Sequence, residues 1–186
     1  MEIMKNDQGV TLIREKFEYV NVGKLRFIGI NLKLNPGISY DETIAKIAPF
    51  LDPLMDEYAC EITDYCFFEY YQGQGVNENY QTHVTGRFFK AGTPVPYDFK
   101  NTDGYDGLYY YDFPTVNIAR GIYSGDERFG GDTFDAYVFT RDQILTDGVE
   151  IPFPERYWTA VQFIDGKPRK GKYRFGYIFG VGDELK

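Results

Sequence analysis

His83 is the only histidine in the chain, so any mechanism that passes a proton through an imidazole to a serine or cysteine nucleophile has to use it. It stands in Thr82-His83-Val84, which reads as strand, while Ser39 and Ser124 read as a helix cap and a turn. A catalytic triad is therefore not expected. Cys60 and Cys66 make no C-x-x-C pair and join no histidine at ligand spacing, which leaves only carboxylates to hold a metal, and none is expected. The glycine stretches Gly73-Gln74-Gly75 and Gly130-Gly131 lack the G-K-[ST] ending of a phosphate loop and read as turns. Asp126, Glu127, Asp132 and Asp135 lack the D-x-D-x-D-G spacing of a calcium loop and read as a solvated acidic loop at a helix N-terminus, where the dipole favours negative charge. No cofactor is expected.

What remains is aromatic. The chain holds 17 Tyr, 16 Phe and one Trp, and a buried phenol wants a hydrogen-bond partner, so many tyrosines belong at surfaces or in a cleft with one apolar and one wet end. In CFFEYY, Phe67, Glu69 and Tyr71 share one face of a strand. If that face points inward it offers an acid between two rings; if outward, Glu69 is a solvated residue on an amphipathic strand. Trp158 fits either core packing or a cleft. Tyr109 and Tyr111 share a face of one strand, and Tyr173, Phe175 and Tyr177 share a face of the last. The candidate ligand-binding residues are Phe67, Glu69, Tyr71, Tyr109, Tyr111, Trp158 and Tyr177, with no catalytic set among them.

Elements that could position these rings follow from periodicity. Leu25 to Leu34 alternates as a strand and ends at Asn35-Pro36-Gly37. Ser39 and Glu42 have capping-box spacing and open a helix whose apolar stripe is Ile44, Ile47, Ala48, Leu51, Leu54, Met55 and Tyr58, with Pro49 and Pro53 expected to kink or split it. Two strands, Ile62 to Tyr71 and Thr82 to Lys90, complete a β-α-β-β half, and a loop from Ala91 to Gly107 follows. Leu108 to Tyr123 then holds one or two strands broken near Phe113-Pro114. A helix capped at Asp132 or Thr133 runs to about Thr146, with Phe134, Tyr137, Val138 and Leu145 on one side and Gly148 at its C-terminal turn. Arg156 to Asp165 and Lys172 to Val181 are the last two strands, joined by a turn at Gly166-Lys167-Pro168, and the basic run Lys167 to Lys172 reads as part of that hairpin turn.

Three landmarks recur about ninety residues apart: Gly29 against Gly121, Asp41 against Asp132, and Gly86 against Gly176. The expected fold is thus α+β, a duplicated β-α-β-β unit with pseudo-twofold symmetry, an antiparallel sheet with helices on one face, and a central ligand cleft. Residues 1–186 are expected to form one domain, with repeats at about 14–90 and 107–183.

FIGI, the capped helix, VTGRFF and FPTVNIARGIYSG, in that order and spacing, resemble the GyrI-like effector-binding domain, a small-molecule-binding module attached to AraC-type and MerR-type transcription regulators and also free-standing. The resemblance covers residues 14 to 183 and lies in architecture and strand signatures. It implies a groove that takes lipophilic, often cationic compounds between aromatic rings with a buried acid as counter-charge. In the family that acid sits in an E-x-Y pattern on the penultimate strand; the positions that match are Val161 and Phe163, and Glu155 and Glu69 are the substitutes. The resemblance also implies two alternatives, a hydrolase opening strained electrophilic xenobiotics and a gyrase-inhibitor-like protein-interaction module.

The net charge of -8 and pI near 4.7 oppose a direct nucleic-acid partner and favour a neutral or cationic ligand. No signal-peptide run and no 18-residue apolar stretch occurs, so membrane insertion and export are not expected and a cytoplasmic setting is. About 24 residues before the first strand are too few for a DNA-binding domain, and the expectation is a stand-alone binder that senses or sequesters a hydrophobic, cationic or neutral small molecule and is not an enzyme.

Overall fold

Most of the chain's aromatic and β-branched residues lie on strands that pair antiparallel throughout. The computed structural model describes residues 1–5, 9, 11–31, 39–71, 81–96, 108–125, 129–152, 157–164 and 173–182; within these, the side chains of 11, 31, 40, 68–71, 81–83, 108, 109, 115, 129–134 and 173 lie outside the description. The strands are β1 (Glu2–Lys5), β2 (Thr11–Asn31), β3 (Cys66–Tyr71), β4 (Gln81–Lys90), β5 (Leu108–Gly125), β6 (Trp158–Phe163) and β7 (Tyr173–Val181). They form one sheet of seven strands, ordered β1-β2-β4-β3-β6-β7-β5, and β5 pairs back onto β2. That last pairing turns the open order into a closed circuit, with β1 attached outside it on β2.

Closure gives the sheet an inner and an outer face, and strand alternation sorts side chains between them. The inner face is filled by Leu25, Phe27, Cys66, Val84, Phe88, Phe113, Ile118, Trp158, Ala160 and Ile178, all buried. On the outer face α1 (Tyr40–Leu51) covers Ile28, Ile30 and Phe89, and α3 (Phe129–Thr146) covers Ala119, Tyr123, Phe175 and Phe179. The architecture is α+β with an antiparallel sheet.

The helices form where capping and periodicity place them. Ser39 accepts from the Glu42 backbone N–H, and the Glu42 carboxylate accepts from the Ser39 backbone N–H at 2.9 Å, closing the capping box. Pro49 lies inside α1, and Pro53 enters a 3-10 turn (Asp52–Leu54) before the short α2 (Met55–Tyr58). Gly148, at φ 70, ends the last helical segment, with backbone bonds from Gly148 to Leu145 and from Val149 to Ile144.

Several sequence expectations are corrected. The first long strand begins at Thr11, not Leu25, and β1 precedes it, so the charged N-terminal stretch is strand. Its charges are tolerated because cross-strand partners meet them: Glu2 pairs with Arg14, Glu18 with Arg120 and Glu15 with Arg174. β5 is one strand and not two; Leu25 pairs with Phe113 and Lys24 with Thr115, so Pro114, which has no N–H to donate, is accommodated as a bulge. Ser124 is in β5 and donates to Glu15. α3 starts at Phe129, so Gly130 and Gly131 are helical, Asp132 and Thr133 are not caps, and Asp135 is buried. Leu145, expected on the apolar side of α3, is exposed, while Ala136, Thr140 and Ile144 face the core. Gly29 pairs with Gly86, whereas Gly176 pairs with Ile122 and not with Gly121. The turns expected at Gly73-Gly75 and Lys167-Lys172 lie outside the described residues, as does Glu155.

Two predictions follow from the sheet. A Cβ at Gly86 would come within 2.6 Å of Gly29 Cα and inside contact of the Ile28 carbonyl, so Gly86→Ala is expected to lower unfolding free energy in urea by roughly 2–3 kcal/mol. The Arg174 guanidinium, and then the Ser124 hydroxyl, hold the Glu15 carboxyl below its ordinary value. The folded chain therefore binds fewer protons at this group than the unfolded chain, and its contribution is present above that ordinary value and lost as pH falls through the lowered one. Urea midpoints measured from pH 6 to pH 3 should fall more steeply for the wild type than for Arg174→Gln.

Candidate functional site

From the area covered by α1 toward that covered by α3, a row of residues runs across five strands of the outer face. The register links Ile30 to Thr85, Thr85 to Phe67, Phe67 to Val161, and Val161 to Tyr177. Around this row the outer face is shut: Phe163 is 2% exposed and Phe175 and Phe179 are at 0%, but Val161 keeps 8%, Tyr177 7%, and Phe67 is only half-buried. The residual access in this row thus centres on the half-buried Phe67, beside the buried Val161 and Tyr177. Tyr137 from α3 borders it, its ring edge-on to Tyr177 at 5.7 Å and stacked on Phe179 at 5.4 Å. Tyr157 meets Phe179 at 6.2 Å, and its hydroxyl lies 3.5 Å from that of Tyr137. Tyr137 and Tyr157 are both half-buried. The result is a half-open aromatic surface bearing phenol hydroxyls, a combination suited to flat apolar molecules with a polar edge. Arg141 already lies over the Tyr137 ring at 5.5 Å, so a cationic group can use that face only by displacing it.

The seven residues singled out from sequence divide between the two faces. Phe67 and Tyr177 meet across Val161 on the outer face. Glu69 is two positions further along β3, in register with His83 and Thr159, and Tyr71 pairs with Gln81 at the strand end; their side chains lie outside the description. Trp158 and Tyr111 are on the inner face. Trp158 is 5% exposed, packed against Phe88 at 5.5 Å and Phe113 at 5.3 Å, and its ring occupies the space a Cβ on Gly180 would need. Tyr111 is exposed, edge-on to Phe113 at 4.7 Å, and Tyr109 pairs with Gly29. The sheet therefore separates Trp158 and Tyr111 from Phe67 and Tyr177.

Tyr137, Tyr157, Val161 and Thr85 were not selected from sequence. Tyr137 carried a signal, since it falls on the apolar side expected for α3. Val161 was named only as the place where an acid was missing, and nothing local distinguishes Tyr157 or Thr85.

The titratable groups near the sheet interior are arranged for stability more than reactivity. Burial raises the Cys60 thiol to about 11 and raises Cys66 further above the ordinary thiol range, so both stay protonated at neutral pH. Burial, then the hydrogen bond to Asp147, pushes the Tyr19 phenol up, and burial, then the bond to Asp52, does the same to Tyr65. At one end of the inner face Arg120 donates to Glu18 at 2.8 and 2.5 Å, and Gln162 donates to Asp64 at 3.1 Å. Among the described residues no group of three or more His, Cys, Asp or Glu could hold a metal ion. No helix among them is long and apolar enough to cross a membrane.

No family model and no curated protein sequence matches the chain. Solved structures do share its fold. An uncharacterized conserved protein from Listeria innocua superposes with a TM-score of 0.54 at 13% identity, over 91% of this chain and 93% of that one. A structure described as a hydrolase from the same organism superposes with a TM-score of 0.56 at 10% identity over the same shares, and another so described gives 0.53 at 10%. At these identities the likeness is one of fold.

The inner-face position of Trp158 has a measurable consequence. Its emission should be blue-shifted and resist acrylamide quenching in the native state, and Trp158→Ala should cost about 3–5 kcal/mol of stability through the cavity it leaves, read as a drop in urea midpoint.

Proposed function

We propose that the chain is a small-molecule-binding protein of the GyrI-like effector-binding kind, holding a flat, hydrophobic ligand on the outer face of the sheet between α1 and α3. The observation that carries the reading is the grouping of three half-buried rings, Phe67, Tyr137 and Tyr157, around the buried Val161 and Tyr177 on the outer face. A ligand there gains roughly 25 cal/mol for each Å² of apolar surface removed from water. The net charge of -8 biases the site toward neutral or cationic compounds over anions, and the position of Glu69 on the same strand as Phe67, two residues along, supports it as the candidate counter-charge.

The duplicated architecture belongs to the same reading. Exchanging β2, β3 and β4 for β5, β6 and β7 leaves the pairings of the closed circuit, β1 apart, unchanged: β2–β4 becomes β5–β7, β3–β4 becomes β6–β7, and β2–β5 and β3–β6 map onto themselves. On that view the site straddles the pseudo-twofold axis, where β3 meets β6.

A second reading, hydrolysis of electrophilic compounds in the same groove, is favoured by the solved structures of like fold described as hydrolases. It would have to run on a carboxylate and tyrosine hydroxyls, because the two thiols are held protonated.

Titration calorimetry with a panel of aromatic amines and their neutral and carboxylate analogues tests the proposal. Micromolar to sub-millimolar binding is expected for amines and neutral compounds and not for carboxylates. Phe67→Ala should weaken all binders several-fold, and Glu69→Gln should weaken the amines selectively. Absence of binding across the panel would overturn it. Mass spectrometry of the same mixtures decides the second reading: unchanged compound after prolonged incubation rejects hydrolysis.

A further inference from the structure

We propose that Thr85 sets ligand specificity in this groove, its hydroxyl accepting a hydrogen bond from a hydroxyl or amine at the inner end of an aromatic ligand; the inference rests on the binding-site reading above. Thr85 is fully buried, and its Oγ1 is, among the described residues, a buried side-chain atom with no hydrogen-bond partner. Other buried hydroxyls and amides are provided for: Thr43 donates to Ser39 O at 3.0 Å, Thr93 to Lys90 O at 2.6 Å, Asn117 to Gly182 O at 3.2 Å, and Thr140 pairs with Tyr123 at 2.8 Å. An orphaned buried hydroxyl costs about 1–3 kcal/mol, and valine, of nearly the same shape and equally suited to a strand, would avoid that cost. The hydroxyl therefore gains the fold nothing in the unliganded state.

Its position supplies the reason. Thr85 is the register partner of Phe67, whose other partner is Val161, so the orphan hydroxyl lies in the groove floor directly beside Phe67, the most accessible residue of that row. Phe67 is half-buried, and a ligand that moves its ring aside reaches Thr85. The matching position of the second half, one residue before the glycine of β7, is Phe175, which fills its surroundings and stacks on Tyr123 at 5.8 Å. Where one half of the sheet carries a phenyl ring, the other carries a small side chain with an unmet hydrogen bond. The ligand class that answers both features is a planar aromatic with a hydrogen-bond donor at its leading edge, such as a phenol or an aryl amine.

The test uses 2-naphthol and 2-methoxynaphthalene, which differ by that donor and one added methyl, titrated by calorimetry into the wild type, Thr85→Val and Thr85→Ser; a preference due to the methyl's bulk would survive in Thr85→Val. The wild type should prefer 2-naphthol about tenfold. Thr85→Val should abolish the preference by weakening 2-naphthol while leaving 2-methoxynaphthalene unchanged, and Thr85→Ser should retain it. Thermal melting should put Thr85→Val at or above the wild type, which separates lost recognition from lost folding. If both probes bind and the preference survives in Thr85→Val, or is missing from the wild type, the role of Thr85 is overturned and the groove stands. If neither probe binds, both fall.

Discussion

The pairing of β5 with β2 is the constraint on which the rest of the structure depends. Without it the sheet would be an open one with two exposed edges; with it the strand circuit closes, and every residue on those strands is committed to one of two faces. On the inner face Trp158, Phe88, Phe113 and Phe27 pack together in one buried cluster. The outer face must then carry both helices, and what they leave uncovered is where a molecule from solution can meet the aromatic surface. Site and core are thus separated by a single strand thickness, and a shift of one residue in register would exchange them.

Closure also explains the glycines. Gly29 and Gly86 face each other across β2 and β4, and a side chain on Gly86 would strike the opposite backbone. Gly180 yields its space to the Trp158 indole. Cross-strand ion pairs do comparable work at the periphery: Glu15 with Arg174, Glu18 with Arg120 and Arg26 with Asp112 tie β2 to β7 or β5 where the apolar core thins.

Much of the architecture was legible in the sequence because it is written in local chemistry. The Ser39–Glu42 box, Pro53 after α1, Gly148 after α3 and the alternation of β3, β4, β6 and β7 each report a local rule. Elements that defy local rules were missed. The segment from Thr11 to Lys24 is as charged as a surface loop and becomes strand only because partners distant in sequence neutralise it, and Pro114 fails to break β5 because a bulge absorbs it. The candidate site was half legible. Phe67 and Tyr177 stood out as strand aromatics on shared faces, but no periodicity states which face of a closed sheet looks inward, so Trp158 and Tyr111 could not be distinguished from them. Thr85 carried no signal at all, since an orphaned hydroxyl is a property of packing.

The central claim is that ligand meets the outer face and not the filled interior. Intermolecular nuclear Overhauser effects between bound 2-naphthol and the protein test it most directly. Binding on the outer face gives contacts to the Val161 methyls and to the rings of Tyr137 and Tyr177. Contacts to Trp158, Phe113 and Tyr111 instead would place the ligand inside the strand circuit and contradict it.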